Sequence, residues 1–205
     1  MRQSVEARVE LIEHSIIFSQ HQEASMSELA NTTGTWVIDP SHTNIGFSAR
    51  HAMVAKVRGT FTNFTGTFVL DGEDPSKSSA ELTIMTESIT TRSDDRDAHL
   101  KSADFLDVES FPTLTFTSTS VTANGETFDV TGDMTVRGTS KSIPVTFELM
   151  GVSTDPWGGI RIGFEGSTEI SRKDFGLTWN TALETGGVLV GDTVKIELDV
   201  EAVKS

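Results

Sequence analysis

Arg96, Asp97 and His99 place a guanidinium, a carboxylate and an imidazole in one short segment. A phosphate head group could accept hydrogen bonds from Arg96, with His99 as a second polar contact. The same residues also read as a loop anchor. Ser93 would cap a short helix whose turns run from Arg96 through Lys101, and Arg96 would pair with Asp97.

Other residues with chemical potential form weaker sets. A three-histidine zinc site needs imidazoles converging on an open fourth position. His42, His51 and His99 are spaced by nine and then 48 residues, which matches no ligand pattern. His14 and His21 belong to the polar N-terminal region. Ser and Asp are abundant enough to draw a Ser–His–Asp set, yet no Gly-x-Ser-x-Gly elbow is present. Asp94-Asp95 reads as a solvated helix start, favoured by the helix dipole. Gly158-Gly159 and Gly186-Gly187 read as turns, because no helical pattern follows either. Cysteine is absent, which excludes thiolate chemistry and disulfides. No catalytic residue and no metal ligand is therefore assigned.

The formal charge of −14 argues against nucleic acid, whose phosphates need clustered Lys and Arg. It equally disfavours docking on anionic lipid head groups. No run of 18 apolar residues exists, so no helical transmembrane segment is expected. The apolar stretch Val9 to Phe18 is interrupted by Glu10, Glu13 and His14, with no small-residue cleavage site after it. A cytoplasmic location is the expectation.

Residues 1–34 differ from the rest. Val5, Val9, Ile12 and Ile16 recur at helical spacing opposite Glu6, Glu10 and Glu13, and Ser19 to Gly34 is polar linker. The expectation is an N-terminal extension, disordered or a short amphipathic helix, with Met26 as an alternative start. The domain proper is 35–205.

From Thr35 the apolar period becomes two. Phe128, Val130, Met134 and Val136 alternate with polar neighbours, as do Ile143 to Leu149, Ile160 to Phe164 and Val194 to Ala202. Weaker alternation covers 45–50, 79–86 and 113–121. In 57–70, Val57, Gly59 and Phe61 keep one phase and Phe64, Gly66, Phe68 and Leu70 the other. Only a break or bulge allows that change, and either bends a long strand. With 35–50 counted as one bent strand there are eight, and one short helix lies between the third and fourth. Strands of about 10–13 residues exceed the usual sandwich length of about 5–6. The prediction is an all-β, eight-stranded antiparallel barrel, with room inside for packed side chains or one small ligand. Gly59, Gly66 and Gly132 share the inward faces and leave space beside the phenylalanines.

Several motifs occur in a recognisable order. They are Trp36 to Thr43, Phe47 to His51, Val57-Arg58-Gly59-Thr60-Phe61 and Ser88-Ile89-Thr90-Thr91. Arg96-Asp97-Ala98-His99-Leu100-Lys101-Ser102-Ala103-Asp104-Phe105, Phe111-Pro112 and Phe116 to Thr119 follow. Gly132 to Gly138 and Ser171-Arg172-Lys173-Asp174-Phe175-Gly176 complete the set. Over about 170 residues the chain resembles the YceI-like family of lipid-binding proteins. The resemblance implies a lipocalin-like barrel whose apolar pocket holds a polyisoprenoid chain or a quinone, and it admits a homodimer. Many relatives have His-Ser where this chain has His42-Thr43, which keeps the hydroxyl. The function expected is non-enzymatic binding, carriage or storage of such a lipid, with no further cofactor. Ligand contacts are expected from Phe47, His51, Phe61, Phe64, Arg96, His99, Phe105, Phe116, Phe147, Ile162, Phe164, Phe175 and Trp179. The alternatives are an enzyme using the Arg96/His99 cluster and a solidly packed barrel that acts through its surface.

Overall fold

A computed structural model describes residues 32–184 and 186–205. The expected N-terminal helix lies outside the described residues. The strands are β1 (Gly34–Ile38), β2 (Asn44–His51), β3 (Ala55–Phe61), β4 (Phe64–Leu70), β5 (Ser79–Met85) and β6 (Ile89–Thr90). Then come helix α1 (Asp94–Lys101), β7 (Thr113–Asn124), β8 (Thr127–Val136), β9 (Thr139–Thr154), β10 (Ile160–Ser171) and β11 (Val190–Lys204).

Eleven strands fill only eight positions around the barrel. β11 pairs with β2 along its first part, where Leu198 faces Ile45, and with β1 at its end, where Lys204 faces Trp36. Residues 34–51 are thus one strand, bent at 39–43. β3 pairs with β2 while β4 pairs with β1, and the phase change seen in the sequence is the break at Thr62 and Asn63. β5 and β6 pair with β4 and β3 in the same way, joined by a 3-10 turn over Thr86–Ser88. Antiparallel neighbours from β7 to β11 complete the ring, and β1–β11 closes it. Among the described residues, the closure leaves only the short branch β2-β3-β6 with an unpaired side.

β8 has the alternation that its sequence requires: Phe128, Val130, Gly132, Met134 and Val136 are buried, and Asp129 and Asp133 are exposed. β9 runs past the alternation that ends at Leu149, because a bulge opposite Gly163/Phe164 resets its register. Ser93 stands at the N-cap of α1, but its hydroxyl does not cap the helix. Asp97 and Thr91 fix that end instead: Asp97 Oδ1 accepts from the Thr91 amide at 2.8 Å and from the Thr91 hydroxyl.

The bend at 39–43 is held by charge. Asp39 accepts from the Ser41 amide and hydroxyl, interacts with His42 Nδ1 at 2.9 Å, and receives Arg161 Nη1 at 2.8 Å. Arg161 also pairs with Glu201 and with Asp155. The Ser41 hydroxyl, Arg161 and His42, in that order, hold the Asp39 carboxyl far below the ordinary carboxylate range. A carboxylate depressed by folding stabilises the native state above its unfolded pKa, near 3.8, and loses that contribution as pH falls through the folded value. Asp39→Asn is expected to lower the urea midpoint at neutral pH and to flatten its decline below about pH 4. Urea midpoints measured against pH for both proteins check this.

Two clusters close the barrel. Around Trp36, itself fully buried, lie Leu70, Val121, Phe128, Val130, Ile162 and Ala202. At the α1 end, Phe64, Ile84, Ile89, Phe105, Leu106, Leu114, Phe175 and Leu177 pack together. Trp36 Nε1 donates to the Thr32 carbonyl at 2.9 Å, which satisfies the only polar atom of that ring.

Candidate functional site

An apolar cavity of about 180 Å³ reaches from one cluster to the other. Phe47, Phe61, Phe116, Phe147 and Phe164 line it, with Leu82, Ile196, Leu198 and other aliphatic side chains. Phe164 organises one wall, edge-on to Phe128 at 5.5 Å and to Phe68 at 5.8 Å between ring centroids.

Glycines seat three of the rings. Phe47 faces Gly59 across β2–β3, Phe147 faces Gly166 across β9–β10, and Phe116 lies over Gly132. A Cβ at any of the three glycines would fall inside the van der Waals envelope of the ring. The rings therefore lie along the wall rather than across the lumen, and the cavity is the space this arrangement preserves. Gly166→Ala is expected to cost about 1–3 kcal/mol by overpacking and to turn Phe147 inward. Phe147→Leu should relieve much of that cost, so a double-mutant cycle by chemical denaturation should give strong coupling.

The other side chains expected at the site stand elsewhere. Phe64, Phe105 and Phe175 are buried in the α1-end cluster, and Ile162 in the cluster around Trp36. These four close the barrel rather than line its cavity. Trp179 lies outside Phe105 at 5.3 Å, and the His99 ring stands edge-on to both, 4.5 Å from Trp179. His99 Nε2 also meets Asp104 Oδ2 at 3.0 Å. Arg96 forms no ion pair with Asp97. Its Nε and Nη2 donate to the Thr91 hydroxyl and carbonyl at 2.7 and 2.8 Å. Burial pushes the Asp97 carboxyl up, and the bonds from Thr91, with Thr90 and the nearby Arg96 charge, more than offset that, leaving it below its ordinary value. The segment from Arg96 to His99 is thus a strap tied to Thr91. His51 is exposed at the end of β2.

The geometry also speaks to catalysis. Ser41 Oγ and Asp39 Oδ2 both approach the same nitrogen of His42, Nδ1, at 3.1 and 2.9 Å. A relay needs serine and carboxylate on opposite ring nitrogens, so these three residues form a corner brace. Asp39, His42 and Glu201 are close enough to hold a metal ion. Arg161 is already paired with both carboxylates there.

Arg172 is the functional residue that sequence reasoning missed. It is buried in the 3-10 turn Arg172–Phe175, and it donates to the carbonyls of Leu177, Trp179, Val190 and Gly191. It thereby ties down the segment that carries Leu177 and Trp179 across the barrel end. It also meets Asp192 Oδ1 at 3.3 Å, but most of its acceptors are backbone carbonyls, which no residue type marks in advance.

A closed eight-stranded barrel around an apolar cavity defines a lipocalin-like binding architecture. Residues 36–202 match the YceI-like domain model, and the chain belongs to that family. Protein YceI of Salmonella newport (strain SL254) is 40% identical over 161 residues, covering 75% of this chain and 84% of the relative. The Campylobacter jejuni YceI crystal structure aligns with a TM-score of 0.64 at 29% identity, over 76% of this chain and 90% of the other. A polyisoprenoid binding domain from Saccharophagus degradans shares the fold, with a TM-score of 0.65 at 14% identity over 83% and 98% of the two chains.

Proposed function

We propose that the protein is a non-enzymatic carrier or store for an isoprenoid lipid, a quinone or polyprenyl chain held in the barrel cavity. The observation that carries this reading is the cavity itself, almost wholly apolar and kept open by phenylalanines seated on glycines. Its volume of about 180 Å³ is below the ~300–1,000 Å³ of pockets for drug-sized ligands, which favours a slender chain over a broad ring system. The description of the Saccharophagus degradans domain as polyisoprenoid binding supports the same class of ligand. Affinity would come from burial, roughly 25 cal/mol per Å² of apolar area before ordering costs. Chain-length selection would be weak, since one methylene is worth only about 1–3 kcal/mol.

Organic extraction of the purified protein followed by mass spectrometry tests this. A stoichiometric prenyl lipid is expected. An empty extract, repeated after incubation with quinones and polyprenols, would reject the reading in favour of a barrel that works through its surface.

A further inference from the structure

The β2–β3 hairpin concentrates positive charge in a chain of formal net charge −14. From Arg50 to Arg58 it holds Arg50, His51, Lys56 and Arg58 and no acidic residue. Arg50 lies directly opposite Lys56, and Arg58 opposite Ser48. Phe47 lines the cavity, so the alternation puts Arg50, Lys56 and Arg58 on the outer face. Like charges directly opposite one another repel. Among the described residues none of these three cations forms an ion pair. The carboxylate that feels Arg58 and Lys56 is Glu197, which is already paired with Lys195 at 2.7 Å. With no described carboxylate paired to them, these exposed cations are available to an anion outside the molecule.

The hairpin tip is apolar and strained. Ala52 and Met53 have φ of 47° and 62°, the left-handed turn that Asn-Gly makes without a Cβ penalty. The turn holds Met53 and Val54 in solvent, 62% and 82% exposed. The Ala52 amide donates to the Leu189 carbonyl at 2.8 Å, which ties the tip to the segment bearing exposed Val188 and Glu184. That segment also carries Trp179 over the α1 end of the cavity.

We infer that this end of the barrel docks on a bilayer containing anionic lipids. Met53 and Val54 enter the acyl boundary, while Arg50, Lys56 and Arg58 meet the head groups. Net charge disfavours such docking for the molecule as a whole, but an exposed cation acts over about one Debye length, roughly 8–10 Å. The local sign of the hairpin therefore governs. The opposite end of the barrel is the natural comparison. Trp157 is 87% and Met150 56% exposed there, but Arg161 is saturated by Asp39, Asp155 and Glu201. Arg161 there is therefore not available to lipid phosphates.

The test is flotation of the full chain with vesicles of phosphatidylcholine alone or of equal parts phosphatidylcholine and phosphatidylglycerol. Binding is expected only to the anionic vesicles and should be lost in high salt. Combined Arg50→Gln, Lys56→Gln and Arg58→Gln should weaken partitioning on the order of 100-fold. Val54→Asp should weaken it as well, and Trp157→Ala should leave it unchanged. Circular dichroism and lipid extraction on each variant separate loss of docking from loss of fold and from failure of the carrier reading. Wild-type protein that ignores the anionic lipid, hairpin variants that float like wild type, or dependence on Trp157 would each overturn the inference.

Discussion

Phe147→Asp is expected to empty the barrel while leaving it folded. Phe147 lies on the cavity wall over Gly166, and a bound apolar chain would cover it. An ionised carboxylate sealed beneath such a chain loses its hydration, at an effective cost of several kcal/mol even after relaxation. About 4 kcal/mol is roughly a thousandfold in affinity. Without ligand the residue is only half-buried, so water can reach the new carboxylate and the empty barrel bears much less of that cost. Phe147→Leu keeps the wall apolar and should retain lipid within about tenfold. Retained lipid after gel filtration, with circular dichroism as a check on folding, distinguishes these outcomes. The same substitution at Phe47 adds position. Phe47 lines the cavity on the α1 side, whereas Phe147 belongs with the cluster around Trp36. Loss of lipid from both variants would place the chain along the whole cavity. Unchanged content in folded Phe147→Asp would rule out this wall as its seat.

Period-two alternation carried the fold because a barrel wall has one dry face and one wet face. β8 was legible almost residue by residue for that reason, and in β11 the expected inward Ile196, Leu198 and Val200 do line the cavity. The phase change between Phe61 and Phe64 was legible too, since no continuous strand can bury both sides of it. What alternation does not encode is which apolar residues end up across a barrel end. Phe105 and Phe175 look no different in sequence from Phe116 and Phe147, yet one pair plugs the barrel and the other lines it. The difference is vertical position, set by where α1 and the turn after β10 fold over the rim. Arg96 and His99 allowed two readings, a head-group contact and a loop anchor. Dense charge in a short segment signals that something is held, and here it is the segment itself, through Thr91 and Asp104. β6, two residues long, is too short to show any period.

Arg172→Met is expected to be the most damaging single change outside the cavity. The guanidinium is 4% exposed and donates to Leu177 at 2.5 Å, Trp179 at 2.9 Å and Gly191 at 3.0 Å, with a longer bond to Val190. Methionine fills similar space but donates nothing, so several carbonyls lose their partner, at about 1–3 kcal/mol for each that stays buried and unsatisfied. Water can reach some of them once the segment loosens, and a total of roughly 3–5 kcal/mol is expected, as for a broken buried charge network. Arg172→Lys should recover little, because one ammonium cannot reproduce the planar fork that serves carbonyls on two sides. The functional consequence follows from what the segment covers. Leu177 belongs to the cluster that closes the cavity and Trp179 packs against it, so loosening 177–191 opens that end of the barrel. Lipid should then exchange faster than in wild type even at temperatures where the barrel stays folded. Transfer of a fluorescent prenyl analogue to acceptor vesicles, measured well below the unfolding midpoint, reads that rate. A stability loss without faster exchange would make Arg172 a brace for the fold alone, with the plug held by Phe105 and Phe175.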